Sequence, residues 1–140
     1  MKQYQEGIEL RTTGRGFVEI TDRVQAIVRA SGVATGLVHV YCTHTSCSLV
    51  IQENADPSAR RDMEDWLERI APENDPRYTH TSEGKDDMPS HLRSMVTKTT
   101  ETIPIENGRA AFGTWQGLYL CEHRARPHAR RLLVHVIGSS

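Results

Sequence analysis

Seven histidines in 140 residues is a dense supply of imidazole. Three of them stand where a scaffold presents functional groups: at a strand end, in a loop and at a helix start. His44 closes an extended run at Thr43-His44-Thr45-Ser46, His80 lies in a long polar stretch, and His91 opens a short helix after Asp86-Asp87-Met88-Pro89. Three neutral imidazoles with an open fourth position are a common zinc arrangement for catalysis, and imidazole also suits other late divalent metals. The spacing holds no short His-x-His or His-x-x-x-His pair. Three unconnected, hydrogen-bonded histidines are therefore the competing reading. His39, His123 and His135 fall within or at the ends of apolar strand patterns and read as structural; His128, in an Arg-rich turn, reads as solvated.

Three further clusters carry chemistry. Glu53-Asn54-Ala55-Asp56-Pro57 sits at a strand-to-helix junction. There a carboxylate serves as general base or magnesium ligand, and the helix start offers amides to an anion; a helix cap with solvated charge explains it equally. Gly113-Thr114-Trp115-Gln116-Gly117 is a shaped segment in which the Trp packs the core or lines a pocket beside a ligand-orienting Gln. Arg124, Arg126, Arg130 and Arg131 are a solvated charge run or a phosphate clamp. No Gly-x-Ser-x-Gly elbow, Gly-x-Gly-x-x-Gly or phosphate-loop Gly-Lys-Ser/Thr occurs. Ser46 and Ser48 are close to His44 in sequence only, which does not make a nucleophile.

The elements that must position these groups read as follows. Residues 7–20 are extended, with a turn at Gly14-Arg15-Gly16. Thr21 caps a helix carrying Val24, Ile27 and Val28, stopped by Ser31-Gly32. Gly36 to Thr45 is a strand with Val38, Val40, Cys42 and His44 on one face, and Leu49-Val50-Ile51 continues the sheet after a bend near Ser46. Asp56-Pro57 opens a helix with an apolar stripe of Ala59, Met63, Trp66, Leu67 and Ile70, which Pro72 ends. The polar stretch 71–87 is long for an idle loop. A short helix covers Pro89 to Val96. Strands Thr99 to Ile105 and Arg109 to Thr114 flank the Asn107-Gly108 hairpin turn, and Leu118 to Cys121 and Leu132 to Ile137 complete the set. The reading is α+β: one compact domain, residues 1–140, with a largely antiparallel sandwich or barrel-like sheet and two main helices.

Composition narrows the class. With 17 basic and 18 acidic side chains the net charge is −1, no field for nucleic acid. No apolar run reaches the ~20 residues of a membrane span, and Met1 to Leu10 lacks a signal core. Three cysteines cannot all pair within one chain, which points to buried free thiols and a cytoplasmic protein.

Three long motifs, in order, then resemble the signatures of the YjbQ-like family. They are Cys42-Thr43-His44-Thr45-Ser46 leading into Gln52-Glu53-Asn54-Ala55-Asp56-Pro57, then Tyr78-Thr79-His80 with Glu83 through Leu92, and Gly113 through Arg124. The resemblance runs from about Gly16 to Gly138. It implies a homotrimer and secondary thiamine-phosphate synthase activity, which joins hydroxymethylpyrimidine diphosphate to thiazole phosphate and releases diphosphate. All three histidines fall inside family motifs, which strengthens a divalent-metal site of His44, His80 and His91, with zinc or a similar ion, and with magnesium accompanying the diphosphate. On that reading Glu53, Asn54, His44 and His91 are catalytic, and Lys85, Thr114, Trp115, Gln116, Arg124 and Arg131 bind a small phosphorylated substrate. A metal-dependent hydrolase and a non-catalytic trimeric binding protein use the same residues. One departure stands out: where family members often carry Gly-Pro-Arg, this chain has Ala125-Arg126-Pro127-His128-Ala129-Arg130-Arg131, so Arg126 and Arg130 take no carried-over role. His123, at an often acidic position, takes none either.

Overall fold

The structure is a computed structural model describing residues 1–140. Its elements run β1 (Lys2–Arg11), β2 (Gly16–Glu19), α1 (Thr21–Ser31), β3 (Thr35–Cys42), β4 (Cys47–Glu53), α2 (Pro57–Ile70), α3 (Asp87–Val96), β5 (Thr100–Glu106), β6 (Arg109–Ala110), β7 (Gln116–Glu122) and β8 (Ala129–Ser139). Two antiparallel sheets curl around one core, in the orders β1-β8-β3-β5-β6 and β2-β7-β4. The core joins Val38, Val40, Val134 and Val136 of the first sheet to Leu49, Leu118 and Leu120 of the second, with Val24, Ile27 and Val28 of α1 closing it. The α+β reading and antiparallel pairing hold. There are three helices rather than two, because Asp87 and Met88 extend the short segment before Pro89 into a full helix.

Local chemistry explains the boundaries. Asp56 accepts the Ser58 amide at 2.9 Å with Pro57 starting α2, the cap the sequence announced. Gly32 ends α1 in the left-handed region at φ 71°, where a side chain would be strained. Thr21 does not cap α1. It is the first helical residue, and its hydroxyl accepts the Leu118 amide at 2.9 Å, tying the helix to β7. The Asn107-Gly108 turn has positive φ at both residues, but the strand after it is two residues long, not the six expected. Chain bending at Ser46 does not continue the first sheet: β4 crosses into the second. The apolar stripe of α2 buries only Leu67, leaving Trp66 and Ile70 exposed. All three cysteines are buried free thiols. No helix is long and apolar enough to cross a membrane.

Candidate metal centre

α3 and the loop before it bring two of the three singled-out histidines together. His80 Nε2 and His91 Nε2 lie 2.7 and 3.2 Å from the same oxygen, Oδ2 of Asp87. The two rings meet edge-on at 5.4 Å. Asp87 and His91 are four residues apart, so one helix face presents both; His80 arrives from the loop. Asp87 is 4% exposed, while the side chains of His80 and His91 are 48% and 36% exposed. The ligand-capable atoms of the three residues lie within 4.8 Å of one another.

This donor set fits a divalent ion. Two ligands at ~2.1 Å from a tetrahedral metal stand roughly 3.4 Å apart. The observed separations of 2.7 and 3.2 Å therefore need to open by less than an ångström. Two imidazoles and a carboxylate leave a coordination position facing solvent, the pattern of catalytic rather than structural sites. Imidazole binds a metal only through an unprotonated nitrogen, so protons compete with the ion and affinity falls as pH drops.

A buried ionic frame fixes Asp87. Arg124 Nη1 donates to Asp87 Oδ1 at 2.9 Å, its Nε donates to Asp86 Oδ2 at 3.0 Å, and its Nη2 donates to the Glu83 carbonyl at 3.1 Å. Asp86 precedes α3 but does not cap it with its side chain. That carboxylate takes the Arg124 guanidinium and the Ala125 amide instead. Burial alone would raise the Asp86 pKa; the Ala125 amide and Arg124 outweigh it and hold the carboxyl below its usual range. Behind Arg124, Glu122 is 1% exposed and receives Arg130 Nε at 2.8 Å and the Thr12 hydroxyl at 2.6 Å. Its carboxyl is likewise held low: burial opposes this, but Arg130, Thr12 and the Arg124 amide prevail. Arg124 thus positions the site, and its donors are committed to protein oxygens rather than free for substrate. Arg130, read from sequence as one of a solvated run, is buried and paired; Arg126 and Arg131 are exposed.

His44 is not in the cluster within this chain. Its Nε2 accepts the Arg131 backbone N–H at 2.9 Å, so the cluster within one chain is His80, Asp87 and His91. Burial, then the charge of Arg130, lower the His44 pKa, which keeps the ring neutral as that acceptor. Lys85 is exposed, 3.6 Å from Glu73, and lines a cavity of about 220 Å³ that also touches Tyr78, His80 and Met88.

The other expected site residues gather elsewhere. Cys47 pairs with Glu122 at one end of the β4–β7 ladder and Glu53 with Gln116 at the other, a separation of about 20 Å at the usual strand rise. At that far end Glu53 accepts the Asp56 amide at 3.3 Å, Asn54 donates to Glu19 at 3.2 Å, and Gln116 accepts the Gly113 amide at 2.8 Å. Thr114 is exposed, and Trp115 is 65% exposed, which rules out the core role. Sequence reasoning missed Asp87 as a ligand, although an Asp and a His four apart at a helix start was a usable signal. It also missed Glu122, which nothing local marked.

Comparison with known proteins follows the same lines. A family model described as UPF0047 protein YjbQ-like matches residues 6–139. A UPF0047 protein of Synechocystis is 50% identical over 98% of this chain and 93% of its own length. The UPF0047 protein YjbQ of Escherichia coli is 40% identical over 96% of this chain and 98% of its own. A Clostridium acetobutylicum crystal structure from the YjbQ/UPF0047 family superimposes with TM-score 0.87 at 34% identity, covering 94% of this chain and 99% of that one.

Proposed function

The chain belongs to the YjbQ-like UPF0047 family, and from that premise we propose that it is a divalent-metal enzyme acting on small phosphorylated metabolites, with a reaction of the secondary thiamine-phosphate synthase type. The observation that carries the reading is the single Asp87 oxygen shared by His80 and His91 while Arg124 holds the other oxygen. That is a prepared cation site beside a lysine-lined cavity. In the reaction, the thiazole nitrogen forms a bond to the pyrimidine methylene as the carbon–oxygen bond breaks, and the electron pair leaves with diphosphate. A bound zinc, a similar ion or magnesium would supply charge for the departing diphosphate. Lys85 adds a mobile positive charge for its outer oxygens. Trp115 shields the cationic pyrimidine with its ring face, while Glu53 and Asn54, with Thr114 and Gln116, orient the aminopyrimidine.

The Glu53–Gln116 end lies about 20 Å along β4 from the Cys47–Glu122 end, where Arg124 just beyond β7 ties the chain to Asp87, so we place the two groups beyond the reach of one small substrate within one chain. A homotrimer solves this by setting the Trp115 end of one subunit against the metal end of the next. The outward face of the larger sheet supports assembly, since it leaves Leu37 and Tyr41 uncovered. The same assembly would bring Glu53 to the metal of the next subunit, so dependence on an acceptor, not distance, separates the transferase from a hydrolase with Glu53 as the base. Diphosphate release that requires thiazole phosphate is the expected result. Release without an acceptor would make the protein a hydrolase, and tight binding without turnover would make it a binding protein; either overturns the transferase reading.

A further inference from the structure

Cys42 and Cys47 carry chemistry that the metal centre does not use. Their spacing, Cys-Thr-His-Thr-Ser-Cys, is not a Cys-x-x-Cys motif, yet the fold makes them neighbours. Cys42 is the last residue of β3 and Cys47 the first of β4. The chain bends between them, and both side chains turn into the core. Both are free thiols, and their sulfurs lie 3.4 Å apart. The Cys42 S–H donates to the Cys47 carbonyl at 3.3 Å, which leaves the Cys47 S–H to point at the Cys42 sulfur. Cys121, the third free thiol, makes no such contact.

Bonded sulfurs stand ~2.05 Å apart, so closing the gap takes a movement of roughly 1.4 Å. Side-chain rotation and a small shift of the bend supply it. Cys42 is 2% exposed and Cys47 0%, while Thr43 and Thr45 on the bend between them are exposed. A reagent therefore reaches the pair only through local opening of the bend, which selects a small, uncharged oxidant over a bulky one. Once one sulfur is oxidised, the other thiol is already in contact with it, so ring closure outruns further oxidation. The bond would join β3 of the larger sheet to β4 of the smaller. It would span the bend that holds His44 and the Ser46 carbonyl, which accepts Arg130 Nη2 at 3.3 Å.

We propose that Cys42 and Cys47 are a dithiol modification site, which a small peroxide oxidises to an intramolecular disulfide. In the first step a sulfur electron pair forms a bond to a peroxide oxygen and the O–O bond breaks. The departing hydroxide takes the thiol proton as water and leaves a sulfenic acid. In the second step the neighbouring thiol attacks that sulfur, the S–OH bond breaks, and a second water leaves with the second thiol proton. The peroxide gains two electrons, one from each thiol. The inference does not depend on the transferase reading.

The test is mass spectrometry of the reduced, full-length protein, stripped of metal by chelation, after exposure to millimolar hydrogen peroxide and alkylation in denaturant. The expected product is lighter by two hydrogens and alkylates at Cys121 alone. Its bond lies within the tryptic peptide of residues 30–60, which holds both Cys42 and Cys47, and dithiothreitol restores all three thiols. Glutathione disulfide at the same concentration should react at least about tenfold more slowly. Cys47→Ser should hold Cys42 as a sulfenic acid that dimedone traps; if that variant does not fold, the wild-type peptide decides the matter. The proposal is overturned if all three thiols still alkylate after peroxide, or if sulfinic acid forms in place of the bond. It is also overturned if the bond involves Cys121 or links two chains, or if glutathione disulfide reacts as fast as peroxide.

Discussion

The two ends of the β2-β7-β4 sheet carry the same kinds of residue in opposite states. At the Cys47–Glu122 end, charges are buried and interlocked: Arg130 on Glu122, Arg124 on Asp86 and Asp87, and Asp87 on two histidines. At the Glu53–Gln116 end, the acid and amides satisfy nearby amides and side chains, and Trp115 stands in solvent. The buried end spends polar groups on holding a geometry, and its residues act through one another. The exposed end holds little and is free to meet a substrate or a second subunit. Variants at the first end should therefore damage fold and site together, whereas variants at the second should damage function alone.

Glu122→Ala is the sharpest way to break this contrast. It leaves the buried Arg130 guanidinium without its carboxylate, and loss of one partner of a buried pair costs roughly 3–5 kcal/mol. Chemical denaturation should show a loss of that size; a change below ~1 kcal/mol would mean the buried frame is not holding the end together. Next in size is acid sensitivity. His123 is neutral when folded, with its pKa near 3 against 6.5 for the ordinary side chain. Between those values the unfolded chain binds the extra proton, so stability falls as pH drops below 6.5, by up to a few kcal/mol, roughly 1.4 per pH unit. Glu122 and Asp86, both held low, add to the fall once pH passes below the ordinary carboxylate range. His123→Gln should flatten the profile between pH 6.5 and the carboxylate range and make it shallower below, where Glu122 and Asp86 still contribute. Smallest in stability is Trp115→Ala, expected to change the unfolding free energy by no more than ~0.5 kcal/mol while greatly reducing diphosphate release. If the two ends meet across subunits, mixing Trp115→Ala with Asp87→Ala protein through unfolding and refolding should restore part of the activity that each variant lacks. No recovery in mixed oligomers would contradict a shared site.

Much of the exposed end was legible in sequence, because its signals are local: the Asp56 cap, Pro57 at the helix start, and the glycines around Trp115. The antiparallel pairing and the core face of β3 were legible for the same reason, through the two-residue alternation of Val38, Val40 and Cys42. The buried end was not. Glu122 and Arg130 look like ordinary surface charges until β7 and β8 bring them together inside the protein, and a run of arginines reads as solvated unless a partner is visible. Asp87 was read as the end of the polar stretch 71–87, when it opens α3 one turn before His91 and is the hinge of the site. His44 was read into the cluster, and within one chain its Nε2 instead accepts the Arg131 amide, because a motif shared with other proteins does not state which atoms meet in space.

Metal stoichiometry of the purified protein, measured by elemental mass spectrometry beside Asp87→Ala and His44→Ala, tests the central claim most directly. The His80–Asp87–His91 centre predicts about one divalent ion per chain in the wild type and in His44→Ala, and its loss in Asp87→Ala. An ion retained in Asp87→Ala but lost in His44→Ala would contradict it.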